Sequence, residues 1–212
     1  MGFTASVIGC DEWGAAPAKV QAFKRTTPKW VVVHHADYPN PPRDRSRRTR
    51  GGAMALAREI QHDHMVNRGW FDSGQNFLNS TGGFLLEGRH GSLDAVKAGH
   101  CIQSAHAPQD RGRLPGGNES PGIENEGNFM TAEMAPVQWA SLVELCASLC
   151  DSLGLAPATI KGHRDFTDTD CPGDWLYGQL PRLRLDVARR LGVVLTPEDA
   201  ANQIRSAALA IT

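Results

Sequence analysis

The sequence has no apolar run approaching the ~20 residues that a membrane-spanning helix needs, so nothing in it argues for insertion into a bilayer. It has almost no net charge. The 22 Lys and Arg against 23 Asp and Glu give a formal −1 at pH 7, which excludes a global field drawing the chain to nucleic acid or to an anionic membrane. The N-terminal stretch "MGFTASVIGCDEW" lacks the charged segment and the long apolar segment of a secretory signal. Its short match to a myristoylation pattern has no second anchoring feature beside it. The chain is therefore expected to be made in a cytosol and, if it works outside, to leave by some route other than a standard signal. Five cysteines are an odd number and offer no disulfide framework. There is no internal repeat.

What is present is ordinary for a globular chain: 212 residues, 41% of them hydrophobic and 21% charged. That is enough for one large domain with a tail, and we expect a domain over residues 1–192 and a helical tail or linker over 193–212. Nothing demands more than a monomer. One local basic run, Arg43, Arg45, Arg47, Arg48 and Arg50, reads either as a solvated loop and helix start or as a patch attracted to an anionic polymer such as a bacterial wall.

Along the chain, "KWVVVHHAD" is a β-branched run ending in two histidines and predicts a buried strand. Residues Ser46 to Arg68 turn helical, with Leu56, Ile60, His64 and Met65 near one face. "NFLNSTGGFLLEGR" predicts two strands around a Thr-Gly-Gly turn, and residues 90–120 a long loop. "PGIENEGNF" predicts a short strand with Glu124 and Glu126 on one face. Thr131 to Leu153 reads as a helix ended by Gly154, with Cys146 and Cys150 as small core residues. "TIKGH" reads as another strand, "LPRLRLDVARRLG" as an amphipathic helix and "TPEDAANQIRSAALA" as a further helix. Alternating strands and helices predict an α/β sheet flanked by helices.

The chemistry is concentrated in "GHRDFTDTDCPGD", Gly162 to Asp174. A loop this polar has no core in which to hide a thiol, yet it carries Cys171 eight residues after His163. Imidazole nitrogen and thiolate sulfur are the ligands zinc prefers, and a catalytic zinc takes three protein ligands and leaves one position open. His34, at the end of a buried strand, is the best candidate for the third, with His35 turned to the opposite face. The opposing expectation is that these are ordinary polar residues, or a structural zinc site with four protein ligands.

The ordered blocks "VVVHH", "GWFDSGQNFL", "FLLEGR", "PGIENEGNF" and "GHRDFTDTDCPGDWLY" resemble those of the type 2 N-acetylmuramoyl-L-alanine amidases, the family that includes the peptidoglycan recognition proteins and phage amidases. "DEWGA" near the start resembles the recognition proteins, and the likeness spans about Asp11 to Tyr177. The resemblance implies a mixed central sheet flanked by helices, with zinc at the floor of a groove. It implies His34, His163 and Cys171 as zinc ligands. It implies peptidoglycan as the partner and cleavage of the amide between N-acetylmuramic acid and L-alanine as the activity. The alternative is a module of the same fold that binds peptidoglycan without cutting it.

Many members of that family carry a Tyr beside the metal where this chain has Gln75. A glutamine cannot shuttle a proton, which leaves it to orient water or hold substrate. In the related cytoplasmic anhydromuropeptide amidases a Glu in "G-I-E-x-E-G" does the proton transfer, and "GIENEG" puts Glu124 there, with Glu126 as the fallback. By the same resemblance Thr169 helps stabilise the oxyanion and His106 of "SAHA" contacts substrate. Trp70, Asp72 and Arg89 are expected to build the fold or the groove wall. Without an export signal, a wall-directed hydrolase of this kind fits a phage endolysin released by membrane disruption, or a bacterial enzyme exported by another route.

Overall fold

The computed structural model describes residues 2–193. The tail expected over 193–212 lies outside the described residues save for Val193. In chain order the elements are β1 (Val7–Ile8), α1 (Cys10–Trp13), β2 (Arg25–Thr26), β3 (Val31–His35), α2 (Arg50–His62), β4 (Phe77–Asn79), β5 (Leu85–Glu87), α3 (Ser92–Lys97), β6 (Cys101–Ile102), β7 (Gly122–Asn125), α4 (Pro136–Leu153), β8 (Ile160–Gly162), α5 (Asp174–Gly178) and α6 (Leu180–Arg190).

Six strands form one mixed sheet in the order β1-β5-β4-β7-β3-β8, and β2 pairs with β6 apart from it. Within the large sheet only β4 and β5 run antiparallel, around the Thr-Gly-Gly turn, and every other neighbouring pair is parallel. Parallel strands are buried on both faces, which is why β3 reads as an unbroken apolar run rather than an alternation. Val31, Val32 and Val33 are fully buried, and each contributes about 1.5–3 kcal/mol on that account.

Side chains still alternate between faces. Val31 and Val33 join Phe77, Ile123 and Ile160 against α4 and α6, where Leu142, Leu145, Leu149, Leu183 and Val187 close the larger core. On the other face, Leu78 and Leu86 pack against Leu56, Ala57 and Ile60 of α2. His34 alternates with Val33 and therefore projects away from α4. Its register partner Glu124 likewise alternates with Ile123. The pattern that builds the core thus delivers an imidazole and a carboxylate side by side onto the face that α4 does not cover.

Several expected bounds shift. The predicted Ser46–Arg68 helix is a 3₁₀ turn (Arg45–Arg48), α2, and a π-helical turn over Asp63–Asn67. The helix predicted from Thr131 begins at Pro136, whose missing N–H suits a first turn. The presumed 90–120 loop contains α3 and β6. Glu126 lies one residue past β7 rather than on it.

A buried carboxamide network ties the ends of the central strands together. Asn125 Nδ2 donates to the His34 carbonyl at 2.8 Å, and Asn79 Nδ2 donates to Asn125 Oδ1 at 2.9 Å. Gln138 Nε2 donates to the Asn79 and Glu126 carbonyls, which fastens α4 to the same point. Asn125→Ala would strip partners from two buried groups, and we expect it to destabilise the chain by about 1–3 kcal/mol in urea denaturation. An unchanged midpoint would show that the network contributes nothing.

Candidate functional site

His34, His163 and Cys171 reach one point from three directions. His34 is the penultimate residue of β3, His163 follows β8, and Cys171 follows the loop that leaves His163. β8 pairs with β3 in parallel, with Val33 opposite Gly162, so adjacent strand ends deliver the two imidazoles. Their rings lie 4.4 Å apart between centroids. The returning loop is clamped by Arg164, whose backbone N–H donates to the Cys171 carbonyl at 3.1 Å and whose guanidinium pairs with Asp174 at 2.8 Å. Gly173 then passes so near Phe129 that a Cβ would sit 2.3 Å from the Phe129 carbonyl carbon, at a φ of 91° that also favours glycine.

One ligand atom from each of the three residues lies within 4.8 Å of the others. His34 Nδ1 is 3.7 Å from Cys171 Sγ, and the His35 backbone N–H donates to that sulfur at 3.4 Å. His163 Nε2 is buried without a hydrogen-bond partner among the described residues. A buried imidazole nitrogen with no partner is costly unless something satisfies it. Burial and the neighbouring histidines hold His34 well below the ordinary imidazole value, and burial brings His163 down to about 4. Both rings are neutral at physiological pH and present lone pairs. Burial pushes the Cys171 thiol up to about 12, while the His35 N–H opposes that rise. This donor set, two neutral imidazoles and a thiol in one cluster, fits a zinc ion with room for a fourth, non-protein ligand.

The cluster forms one wall of a pocket of about 180 Å³. Glu124, Gln75, His106, Ala105, His64, Arg68 and Trp70 complete its lining. Glu124 keeps partial solvent access there, and desolvation pushes its carboxyl up to about 7. Gln75 is buried and its Oε1 has no partner among the described residues. His106 is engaged at both ring nitrogens, Nδ1 with His34 Nε2 at 2.9 Å and Nε2 with the Ser120 carbonyl at 3.0 Å. The role expected for it, contact with substrate, therefore has no free ring nitrogen to use.

Thr169 is not among the lining residues, and its Oγ1 accepts from the Cys171 N–H at 3.2 Å. Glu126 is also elsewhere, accepting from the Thr81 N–H at 2.9 Å in a turn contact. His35 borders the pocket but accepts from the Phe129 N–H through Nδ1. Asp72 and Arg89 serve the fold: Asp72 is buried against Gln61 and His90, and Arg89 donates to the Ser73 and Gln103 carbonyls.

His64 went unassigned in the sequence, yet it lines the pocket. Its Nδ1 accepts from the Gly74 N–H at 3.0 Å, and its ring lies 4.7 Å from that of Trp70. The available signal was its place on the apolar stripe of α2, four residues after Ile60, where the π-helical turn re-aims the side chain. Such turns recur at functional sites.

Residues 24–174 match a family model described as N-acetylmuramoyl-L-alanine amidase. Peptidoglycan recognition protein 1 of Bos indicus is 32% identical over 179 residues, covering 81% of this chain and 80% of that protein. An N-acetylmuramoyl-L-alanine amidase of Homo sapiens is 28% identical over 187 residues, covering 84% of this chain and 29% of that longer protein. The solved structure of Drosophila PGRP-LB superposes with a TM-score of 0.65 at 25% identity, covering 84% of this chain and 93% of that one. A variant of that Drosophila protein is known in complex with tracheal cytotoxin.

Since the Cys171 thiol is protonated near neutrality, a zinc ion must displace its proton on binding. We expect calorimetry at pH 7.5 in buffers of different ionisation enthalpy to report about one proton released per ion, and Cys171→Ser to release none. Zinc uptake without proton release would exclude Cys171 as a ligand.

Proposed function

The chain belongs to the N-acetylmuramoyl-L-alanine amidase family, and from that premise we propose that it is a zinc hydrolase that cuts the amide between N-acetylmuramic acid and L-alanine in peptidoglycan. The observation that carries this reading is the convergence of His34, His163 and Cys171 beside an enclosed carboxylate. His34, His163 and Cys171 would hold a zinc ion, which would supply a Lewis acid for the scissile carbonyl and lower the pKa of water from ~15.7 to ~7.

The chain's own groups account for the proton movements. Glu124 stands opposite His34 in the β3–β7 register and lines the same pocket. It takes a proton from the attacking water and returns it to the departing nitrogen, because an amine leaves poorly as an anion. Its enclosure suits this work, since a base poised near the working pH both accepts and gives back a proton. Gln75 stands where the family resemblance leads one to expect a tyrosine. Its unpartnered Oε1 is an acceptor that holds an N–H of the substrate or orients the water. Thr169 accepts from the Cys171 N–H, and the oxyanion role proposed for its hydroxyl rests on the family resemblance, since it does not line the pocket.

Peptidoglycan is supported as the partner by the relatives, which are named as recognition proteins for that polymer and as N-acetylmuramoyl-L-alanine amidases. The wall of a bacterium, where that polymer lies, is the proposed place of action. Gln75 in the tyrosine position favours a second reading, a module that holds the same polymer without cutting it.

Purified sacculi separate the two. Wild type should release free L-alanine amino groups, and a chelator should abolish the release. Glu124→Gln should keep its zinc and lose about 10²–10⁴-fold in kcat. Full activity in that variant would move the base elsewhere, and binding without release by wild type would favour the second reading. The ionised carboxylate is the working form, so kcat/KM should climb with rising pH along an acid limb centred at or below about 7, because a cation nearby draws the carboxyl down. That limb should be missing from the residual activity of Glu124→Gln.

A further inference from the structure

The pocket holds three histidines in contact, and only two of them belong to the ligand cluster. The third, His106, sits in the loop after β6 with its ring set edge-on to that of His34, at 4.7 Å between centroids and 83° between planes. Its Nε2 lies 3.0 Å from the Ser120 carbonyl oxygen. A carbonyl only accepts, so this nitrogen carries the hydrogen, and in a neutral ring Nδ1 then bears the lone pair. That lone pair faces His34 Nε2 at 2.9 Å. His34 must therefore be the donor at Nε2, which leaves its Nδ1 bare. Nδ1 is the atom 3.7 Å from Cys171 Sγ.

The backbone makes room for this arrangement. A Cβ on Gly122 would sit 2.4 Å from His106 Cδ2, so the ring lies directly on β7 at a position where only glycine admits it. Ser120 is held in turn, its hydroxyl donating to the Gly116 carbonyl at 2.8 Å. The chain of donors runs from His34 through His106 into a fixed main-chain acceptor.

We propose that His106 is a positioning residue that fixes His34 as its Nε2–H tautomer and so presents His34 Nδ1 to the ion. The inference rests on the metal reading above and concerns how the site is set before any ion arrives. Ligating histidines generally use their second nitrogen in this way, and loss of the partner weakens metal binding by about 10–100-fold. Here the partner is another imidazole, which accepts in one tautomer only, so the orientation of two rings is set by a single carbonyl.

The test uses the metal-free full chain and two variants. His106→Asn keeps a side-chain oxygen near the place of Nδ1, and His106→Leu removes the acceptor. In ¹⁵N-edited histidine spectra, wild type and His106→Asn should show His34 protonated at Nε2, whereas His106→Leu should show mixed tautomers. In competition with a chromogenic chelator, His106→Leu should hold zinc about 10–100-fold more weakly, and His106→Asn should recover most of that loss. The proposal is overturned if wild-type His34 is protonated at Nδ1, or if His106→Leu binds zinc as tightly as wild type. Failure of wild type to take up zinc at all would instead overturn the metal reading on which the positioning role depends.

Discussion

The pairing of β7, β3 and β8 as three parallel neighbours is the constraint on which the site depends. In parallel register His34 stands opposite Glu124, and Val33 stands opposite Gly162, one residue before His163. A slip of one residue in either pairing would turn a ligand or the carboxylate to the wrong face of the sheet. The register is protected by burial, since Val31, Val33, Ile123 and Ile160 would be driven out of the α4–α6 core by the same slip. Core packing and site geometry are thus two consequences of one alignment, and the carboxamides of Asn79 and Asn125 fasten it at the strand ends.

Around that alignment the sequence spends its unusual residues. Gly122 admits the His106 ring and Gly173 admits the Phe129 backbone, each at a distance no Cβ would tolerate. Desolvation acts on the titratable groups of the pocket in one sense, against charge. It keeps the imidazoles neutral, the thiol protonated and the carboxyl close to neutrality. A pocket so disposed presents the lone pairs of neutral donors, the form in which imidazoles meet a metal ion.

Much of this was legible in the sequence. "VVVHH" announced a buried strand carrying histidines to its end, and a cysteine in a loop of Asp, Thr, Gly and Pro had no packing reason to be there. The pairing of Glu124 with His34 was not legible, because strand register is a long-range property that no local pattern fixes. The same holds for His106, whose two partners are 72 and 14 residues away. His64 was seen on the apolar face of its helix, but the π-helical turn that aims it into the pocket leaves no clear mark in composition. Glu126 shared a predicted face with Glu124, and the chain leaves the strand just before it, so its carboxylate meets Thr81 instead.

The most direct test of the central claim is X-ray absorption at the zinc edge on the zinc-loaded protein. The account predicts one ion with two nitrogen ligands, one sulfur ligand and one light-atom ligand from solvent, and loss of the sulfur shell in Cys171→Ser. A shell of four protein ligands, or a first shell without sulfur in the wild type, would contradict it.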